Sequence, residues 1–416
     1  MFEKAKRFIQ PLINIYHLFK AIIASIYYDF PSKKLILIGV TGTDGKTTTT
    51  HLIYHVLKNY VGKASMISSI HADIAGGIIE TGSHVTTPDS LKVQKYLRSS
   101  LDNKDKFFII ECTSHALNQN RLWGIKFDTS VITNITEENL DYHKTYKNYV
   151  CEKTKLLFRS SKSIINKDDK SYQCLVNKLR KKDKTFFTYS LNKKADFNFD
   201  VRKKLGIKVL KFNTYNFLAA YSVLKTLNIS DKLIEKGFKT FKIPQGRMET
   251  IYDKDFKVII DFAHTPNSFK NILEEIFTFK KNKSNRIIHI FGSAGLRDRF
   301  KRPLMGEVSS KHSDVIIITE EDYRTEDPDK IATDIIKGVI KNKFLQVNPS
   351  KLNKKSKKVY SIILDRKNAI KKAISIANKN DIILITGKSH EKSICRGRKE
   401  TPWDEKKTVI NSLGFK

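Results

Sequence analysis

Short apolar runs alternate with longer stretches of helical periodicity along most of this chain. The runs fall at residues 35–40, 107–112, 130–135, 163–165 and 186–189. A second set falls at 258–262, 287–291, 315–319, 360–364 and 382–386. Brief apolar runs separated by helical stretches predict buried strands of α/β units, in largely parallel sheets. The segment Ile243-Pro244-Gln245-Gly246-Arg247 interrupts the alternation between the two sets, so a domain boundary is expected there. With 416 residues the chain is long for a single core. The expected organisation is an N-terminal helical extension at 1–34, a central domain at 35–243 and a C-terminal domain at 244–416. No internal repeat or low-complexity tract interrupts it, and the Lys-rich stretch 350–358 reads as a surface loop.

Ahead of the first run, Ile9, Leu12, Ile13, Tyr16, Phe19, Ile23 and Tyr27 recur at helical spacing. Gln10, Pro11, Asn14, His17 and Lys20 interrupt the segment, so it reads neither as a membrane span nor as a signal peptide. The pattern predicts a helix that docks on the domain after it. A weak contact of residues 8–28 with a membrane surface is the second reading.

Composition is that of a globular protein, 40% hydrophobic and 29% charged, but the formal net charge is +34. Such a charge raises a nucleic-acid partner. The lysines are spread along the chain, and no basic module with interleaved aromatics of the RNA-binding kind is present. A solvated Lys-rich surface is therefore expected, with no nucleic-acid partner, and it would suit a polyanionic nucleotide substrate. Cys112, Cys151, Cys174 and Cys395 are scattered without metal or redox spacing, which predicts a reducing, cytoplasmic location.

The chemistry begins at Ile38-Gly39-Val40-Thr41-Gly42-Thr43-Asp44-Gly45-Lys46-Thr47-Thr48, where the first apolar run meets a helical pattern. Strand, Gly-rich turn, Lys-Thr and helix form a phosphate cradle: backbone N–H groups and the helix N-terminus face the anion. Gly42, Thr43, Asp44, Gly45 and Thr48 would line it, Lys46 would neutralise the β/γ-phosphates and Thr47 would hold Mg²⁺. The strict Walker spacing is not met, since Val40 stands where that pattern has its first glycine. Glu111 closes the run at 107–112, Asn134 closes the run at 130–135, and Asp141 and His143 follow. These residues converge on the strand ends where α/β sheets gather ligands, so Glu111 and His143 become metal-ligand candidates. Lys153 lies ten residues beyond His143 on an expected helix, where alone it would be an exposed lysine.

With those segments in order, the chain resembles the Mur ligase family, and within it the branch that adds the third residue of a muramoyl peptide. The resemblance runs from about residue 35 to 413. It rests on Thr86-Thr87-Pro88-Asp89, Glu111 to Leu117, Leu140 to His143, Phe212 to Asn216, Gly246 to Glu249, Asp261 to Pro266, Arg297-Asp298, Lys301 to Gly306 and Gly387 to Glu391. It implies a P-loop-type central domain with a mostly parallel sheet and a C-terminal Rossmann-like α/β domain. The implied activity is an ATP- and Mg²⁺-dependent amide ligation in peptidoglycan precursor synthesis. A substrate carboxylate attacks the γ-phosphate to give an acyl phosphate, which the incoming amine then attacks. By matching positions, Thr47, Glu111, His143 and Lys153 surround Mg²⁺, with Lys153 carbamylated by CO₂. Asn134, Asn213, Asn216, Arg247 and Asp261 belong with ATP, and domain closure would complete the site. Thr86, Thr87, Thr113, Ser114, Gln119 and Arg121 match contacts to a UDP-MurNAc-dipeptide. Arg297, Glu321, Asp322, Arg324, Gly387 and Glu391 match the pocket for the added diamino acid, where an arginine can grip a carboxylate and a glutamate an ammonium. A monomer is expected.

The chain departs from the family pattern at several places. Asp44 replaces the usual Asn, Lys144 and Ser389 stand where Gly is usual, and Ser293, Ala294 and Leu296 alter the Gly-rich turn before Arg297. Glu321-Asp322-Tyr323-Arg324 replaces Asp-Asn-Pro-Arg; Arg324 favours diaminopimelate, while the added acidic groups would favour lysine. Diaminopimelate is held ahead. Only some 34 residues precede the first strand, so the usual N-terminal domain that grips uridine diphosphate is not expected in this sequence, and a lipid-linked acceptor is the alternative. The nearest rivals are a folylpolyglutamate-type or amidase-partnered ligase. A nucleic-acid-binding ATPase is the rival from another class.

Overall fold

The computed structural model describes residues 2–80, 86–138, 140–282 and 284–414. The chain forms two compact units, one of Met1–Glu137 with His143–Lys242, the other of Glu138–Tyr142 with Ile243–Lys416.

The first unit is built on a nine-stranded sheet. Its strands are β1 (Ile36–Thr41), β2 (Ala64–Ile67), β3 (Ala72–Ile74), β4 (Gly77–Ile79), β5 (Phe107–Glu111), β6 (Phe127–Ile132), β7 (Ser160–Asn166), β8 (Phe186–Ser190) and β9 (Phe197–Asn198). Across the sheet they run β4-β3-β2-β5-β1-β6-β7-β8-β9. Pairing is parallel except at β2–β3 and β3–β4. β1 lies in the middle, between β5 and β6, and both its faces are covered. Ile38 and Val40 pack under α2 (Lys46–Tyr60) and the helix Thr214–Thr226, while Leu37 packs on the opposite side with Phe108, Ile110 and α3 (Ser90–Asp102). That is why its residues read as an unbroken apolar run.

The second unit carries a seven-stranded sheet. Its strands are β10 (Glu249–Asp253), β11 (Lys257–Asp261), β12 (Ile287–Phe291), β13 (Val315–Ile318), β14 (Leu345–Gln346), β15 (Val359–Ile362) and β16 (Ile382–Thr386), in the order β10-β11-β16-β12-β13-β15-β14. Only β10 pairs antiparallel. A separate hairpin, β17 (Ser393–Arg396) with β18 (Lys399–Pro402), follows β16.

The structure corrects the sequence reading in three places. The run expected at 130–135 is a strand only to Ile132. Thr133 and Asn134 leave the sheet and turn over the loop that follows β1, with the Thr43 N–H donating to the Asn134 carbonyl at 2.8 Å. The short strands β2, β3 and β4 were not expected: they are three or four residues long and joined by tight turns, too brief to show a period. The N-terminal helix forms as α1 (Phe2–Tyr27) and packs against α3, but Leu12, Tyr16, Phe19, Ile23 and Tyr27 face solvent instead of the domain. The side chain of Ile9 lies outside the described ones.

Candidate functional site

In the first unit, the turn after β1 is held from several sides. Gly45 has φ +81, and a Cβ there would meet the Asn216 Oδ1 at 2.0 Å, so both the backbone angle and the close approach require glycine. The Asn216 amide is fixed in turn, donating to Asn213 Oδ1 at 2.9 Å. The Asp44 N–H donates to Asn134 Oδ1 at 3.0 Å, and the Asp44 carbonyl accepts from Thr133 Oγ1 at 2.7 Å and Asn134 Nδ2 at 3.0 Å. Lys46 folds back, its Nζ 2.7 Å from the Thr43 carbonyl. Thr43 Oγ1 accepts from the Thr136 N–H at 3.0 Å, and Thr47 and Thr48 are buried at the start of α2.

Beneath this turn sits Glu111, at the end of β5 and fully buried. It accepts from the Thr47 hydroxyl at 3.2 Å, the Ser69 N–H at 2.9 Å and the Ser69 hydroxyl at 2.9 Å. Among the described residues no lysine or arginine forms an ion pair with it. A buried carboxylate without a counter-ion is costly. A hard divalent cation bound between this carboxylate and the Thr47 hydroxyl removes that cost, and oxygen donors of this kind suit Mg²⁺. No group of three His, Cys, Asp or Glu side chains gathers to hold a metal among the described residues. The donors present therefore fit an ion that takes its remaining ligands from phosphate and water, as Mg²⁺ does.

Two further predicted residues come close by way of Tyr149. Lys153 is buried and donates to the Gly42 carbonyl at 2.6 Å, with its Nζ 4.5 Å from the centroid of the Tyr149 ring. His143 is buried against the same ring, 5.1 Å between centroids, and its Nε2 lies 3.0 Å from Ser114 Oγ. The Tyr149 hydroxyl is 3.3 Å from Thr43 Oγ1. Sequence reasoning missed Tyr149 and Ser69, which carry no motif of their own.

The residues expected to meet the dipeptide form one connected group. Thr87 Oγ1 donates to the Glu111 carbonyl at 2.8 Å and accepts from the Thr113 N–H at 3.0 Å. The Thr113 side chain caps α4 (Ser114–Asn118) by accepting from the Ala116 N–H. Arg121 donates to the Thr87 carbonyl at 2.8 Å and to Gln119 Oε1 at 2.9 Å, and Thr86 Oγ1 lies 2.9 Å from Ser69 Oγ.

In the second unit, Asp261 ends β11. Its carboxylate accepts from the Met248 N–H at 2.8 Å and the Ala263 N–H at 2.6 Å. Burial pushes its pKa up, opposed by the nearby Arg247 cation. The Arg247 guanidinium stacks 4.6 Å above the Phe262 ring. It also lines a groove with Ile243, Gln245, Met248, Glu249 and Lys406.

The expected amino-acid pocket draws on the turns after β12, β13 and β16. Lys388, inside the Gly387–Glu391 segment, was not singled out from sequence. It is fully buried between Asp322 Oδ1 at 2.8 Å and Glu391 Oε2 at 2.5 Å. Both carboxylates hold its pKa up against the effect of burial. Asp322 and Glu391 thus already hold a cation. Arg324 is held at φ +53 with its Nη1 donating to the Gly295 carbonyl at 2.9 Å, and Arg297 feels its charge together with those of Asp141 and Asp322. The buried Glu321 Oε2 has no hydrogen-bond partner among the described residues and faces Gly387, where a Cβ would stand 2.8 Å from it.

Comparison with known proteins decides the family. The Mur ligase middle domain matches residues 40–229, and the glutamate ligase domain of Mur ligases matches residues 246–389. The chain belongs to the Mur ligase family. A relative from Clostridium acetobutylicum, UDP-N-acetylmuramoyl-L-alanyl-D-glutamate–2,6-diaminopimelate ligase 1, is 36% identical over 410 residues, covering 94% of this chain and 80% of the relative. The UDP-N-acetylmuramyl-tripeptide synthetase of Borreliella burgdorferi is 36% identical over 420 residues, covering 94% of this chain and 78% of that one. A solved UDP-N-acetylmuramoyl-L-alanyl-D-glutamate–2,6-diaminopimelate ligase matches with a TM-score of 0.57 and 26% identity, over 91% of this Mur ligase and 78% of that chain. A folylpolyglutamate synthase from Mycobacterium tuberculosis shares the fold at a TM-score of 0.67 and 13% identity, over 89% and 92% of the two chains. No helix among the described residues is long and apolar enough to cross a membrane.

Proposed function

We propose that this Mur ligase joins diaminopimelate to the D-glutamyl carboxylate of UDP-MurNAc-L-Ala-D-Glu, spending ATP. The observation that carries the reading is the buried Glu111 carboxylate set against the Thr47 hydroxyl below a Gly-rich turn that also presents Lys46. It supplies the place for Mg²⁺, which when bound screens the charge that gathers between two anions, the γ-phosphate and the attacking carboxylate. The Gly42–Gly45 N–H groups and Lys46 hold the β/γ-phosphates. The carboxylate oxygen bonds to the γ-phosphorus as the bond to ADP breaks. The amine then adds to the acyl carbon, phosphate leaves, and the amine loses a proton. Thr87, Thr113 and Arg121 orient the acceptor. His143 and Lys153, the latter as its carbamate, complete the metal surroundings. In the second unit Arg247 and Asp261 serve ATP.

Diaminopimelate is preferred to lysine because the extra acidic group at Asp322 is already paired, with Lys388 at 2.8 Å and Arg324 at 3.7 Å, and does not wait for a substrate ammonium. Arg297, with Arg324 beside it, would meet a second carboxylate, and Glu321 Oε2, without a hydrogen-bond partner among the described residues, an amine. The domains are taken as 35–243 and 244–416 after a helical extension at 1–34, in a monomer that works in the cytoplasm.

The test is phosphate release with ATP, Mg²⁺ and UDP-MurNAc-L-Ala-D-Glu, with diaminopimelate or lysine offered separately and the product weighed by mass spectrometry. Release that needs both partners and yields the diaminopimelate tripeptide supports the reading. Exclusive lysine incorporation would sink the specificity. No release with either, from protein that still binds ATP, would move the acceptor to a lipid-linked muramoyl peptide.

A further inference from the structure

The helix α1 (Phe2–Tyr27) exposes more large apolar side chains than it buries, unlike a helix that only packs on its own domain. Its inner face is mixed: Ala21, Ala24 and Ser25 are fully buried, and Ile13, Leu18 and Ile22 are half-buried alongside Asn14 and His17. Polar contacts fix that face. Asn14 Nδ2 donates to Asn118 Oδ1 at 3.0 Å, Gln94 Nε2 donates to Ser25 Oγ at 3.0 Å, and Ser25 Oγ is 2.8 Å from the Ala21 carbonyl. The outer face is large and apolar. Leu12, Ile15, Tyr16, Phe19, Ile23, Ile26 and Tyr27 follow one another at helical spacing and are 50% to 76% exposed. At ~1.5 Å per residue they form a stripe about 22 Å long. No charged residue lies within it; Lys20, at its margin, pairs with Asp89 at 3.5 Å.

A stripe of this kind is held out of water in the working protein. Charge selects what covers it. The sequence places Lys4, Lys6 and Arg7 in the first two turns of α1, and the exposed Lys33 and Lys34 follow its end. A second copy brings the same net charge of +34 and is repelled. An anionic surface is attracted. Tyr16, Phe19 and Tyr27 are of the type that settles at the level of lipid headgroups. We infer that α1 is a membrane-surface anchor that lays its Leu12–Tyr27 stripe into the headgroup region of an anionic bilayer, flat and without crossing it. The polar contacts of the inner face keep the stripe turned outward, so no rearrangement of the domain is needed to bind.

Flotation of the full chain with vesicles tests the assignment. With phosphatidylglycerol mixed into phosphatidylcholine, the bound fraction should exceed that on phosphatidylcholine alone by about tenfold and fall at high salt. Phe19→Asp with Ile23→Asp should abolish flotation while the thermal midpoint and the ligase rate in solution stay those of the parent, since both side chains lie on the outer face. Lys33→Glu with Lys34→Glu should weaken flotation on anionic vesicles by several-fold and leave the stripe intact. Equal flotation on neutral and anionic vesicles, or none on either, would overturn the inference. So would a dimer in sedimentation that Phe19→Asp with Ile23→Asp turns into a monomer, which would give the stripe to a second copy.

Discussion

The Lys153 ammonium lies 2.6 Å from the carbonyl oxygen of Gly42, inside the turn that follows β1. As a buried cation it would oppose a metal ion bound nearby. The proposed reaction with CO₂ would replace that positive charge by a carbamate anion.

The expected outcome is a carbamate carbon signal in NMR spectra of the protein supplied with ¹³C-bicarbonate and Mg²⁺, absent from Lys153→Met. Turnover of Lys153→Ala should fall on the order of a hundredfold or more, the scale of losing one preorganised electrostatic group. Undiminished turnover in that variant would remove Lys153 from the chemistry.

Three non-glycine residues keep a left-handed backbone that suits glycine. Lys144 has φ +68, Leu296 φ +54 and Ser389 φ +48. A side chain there costs roughly 1–2 kcal/mol, while a glycine adds about 0.4–1 kcal/mol of unfolded-chain entropy. Lys144 and Leu296 are exposed, so little is lost with their side chains. Lys144→Gly and Leu296→Gly should each stabilise the protein by roughly half to one kcal/mol in urea unfolding. Ser389→Gly should gain less, because Ser389 Oγ donates to the Gly246 carbonyl at 2.7 Å.

Other positions show what the sequence made legible. Apolar runs such as 287–291 and 382–386 coincide with β12 and β16 because those strands are covered on both faces and every residue is buried. Glu111 was legible because a carboxylate closing an apolar run stands at a strand end. The α1 stripe was misread because periodicity gives the width of an apolar face and not its direction. Lys388 was passed over because a lysine inside a motif looks solvated until the two carboxylates that bury it are brought in by distant turns. The partial strand at 130–135 failed for a related reason: Thr133 and Asn134 hydrogen-bond the turn after β1, which overrides their fit to a strand.

Arg366 and Glu405 form an ion pair that is fully buried on both sides, with Nη2 to Oε1 at 2.5 Å. The Trp403 indole N–H also donates to Glu405, at 2.7 Å. Without Glu405, Arg366 keeps only the weaker influence of Glu321 and Glu320. Glu405→Gln should cost about 3–5 kcal/mol in urea unfolding. The loss should appear as a lowered midpoint, with tryptophan fluorescence of the folded state altered by the change beside Trp403. An unchanged midpoint would mean that Arg366 finds enough in the Glu320 and Thr386 carbonyls it already meets.

His289 supplies the pH dependence. It is fully buried in β12, between Ser309 Oγ at 2.9 Å and Thr386 Oγ1 at 3.0 Å. Burial, and after it the Arg366 cation, push its pKa down to about 3 from 6.5. The folded protein therefore binds one proton fewer than the unfolded chain between those values. Its contribution to stability is complete above pH 6.5 and is lost as pH falls toward the folded value, at about 1.4 kcal/mol per pH unit in the limit. Urea midpoints measured from pH 7.5 down to 4.5 should fall more steeply for the parent than for His289→Asn, by the equivalent of one proton, even though the variant starts lower for its altered hydrogen bonds. Parallel slopes would show that His289 is protonated in the folded state and that its two hydroxyl partners rearrange to accept it.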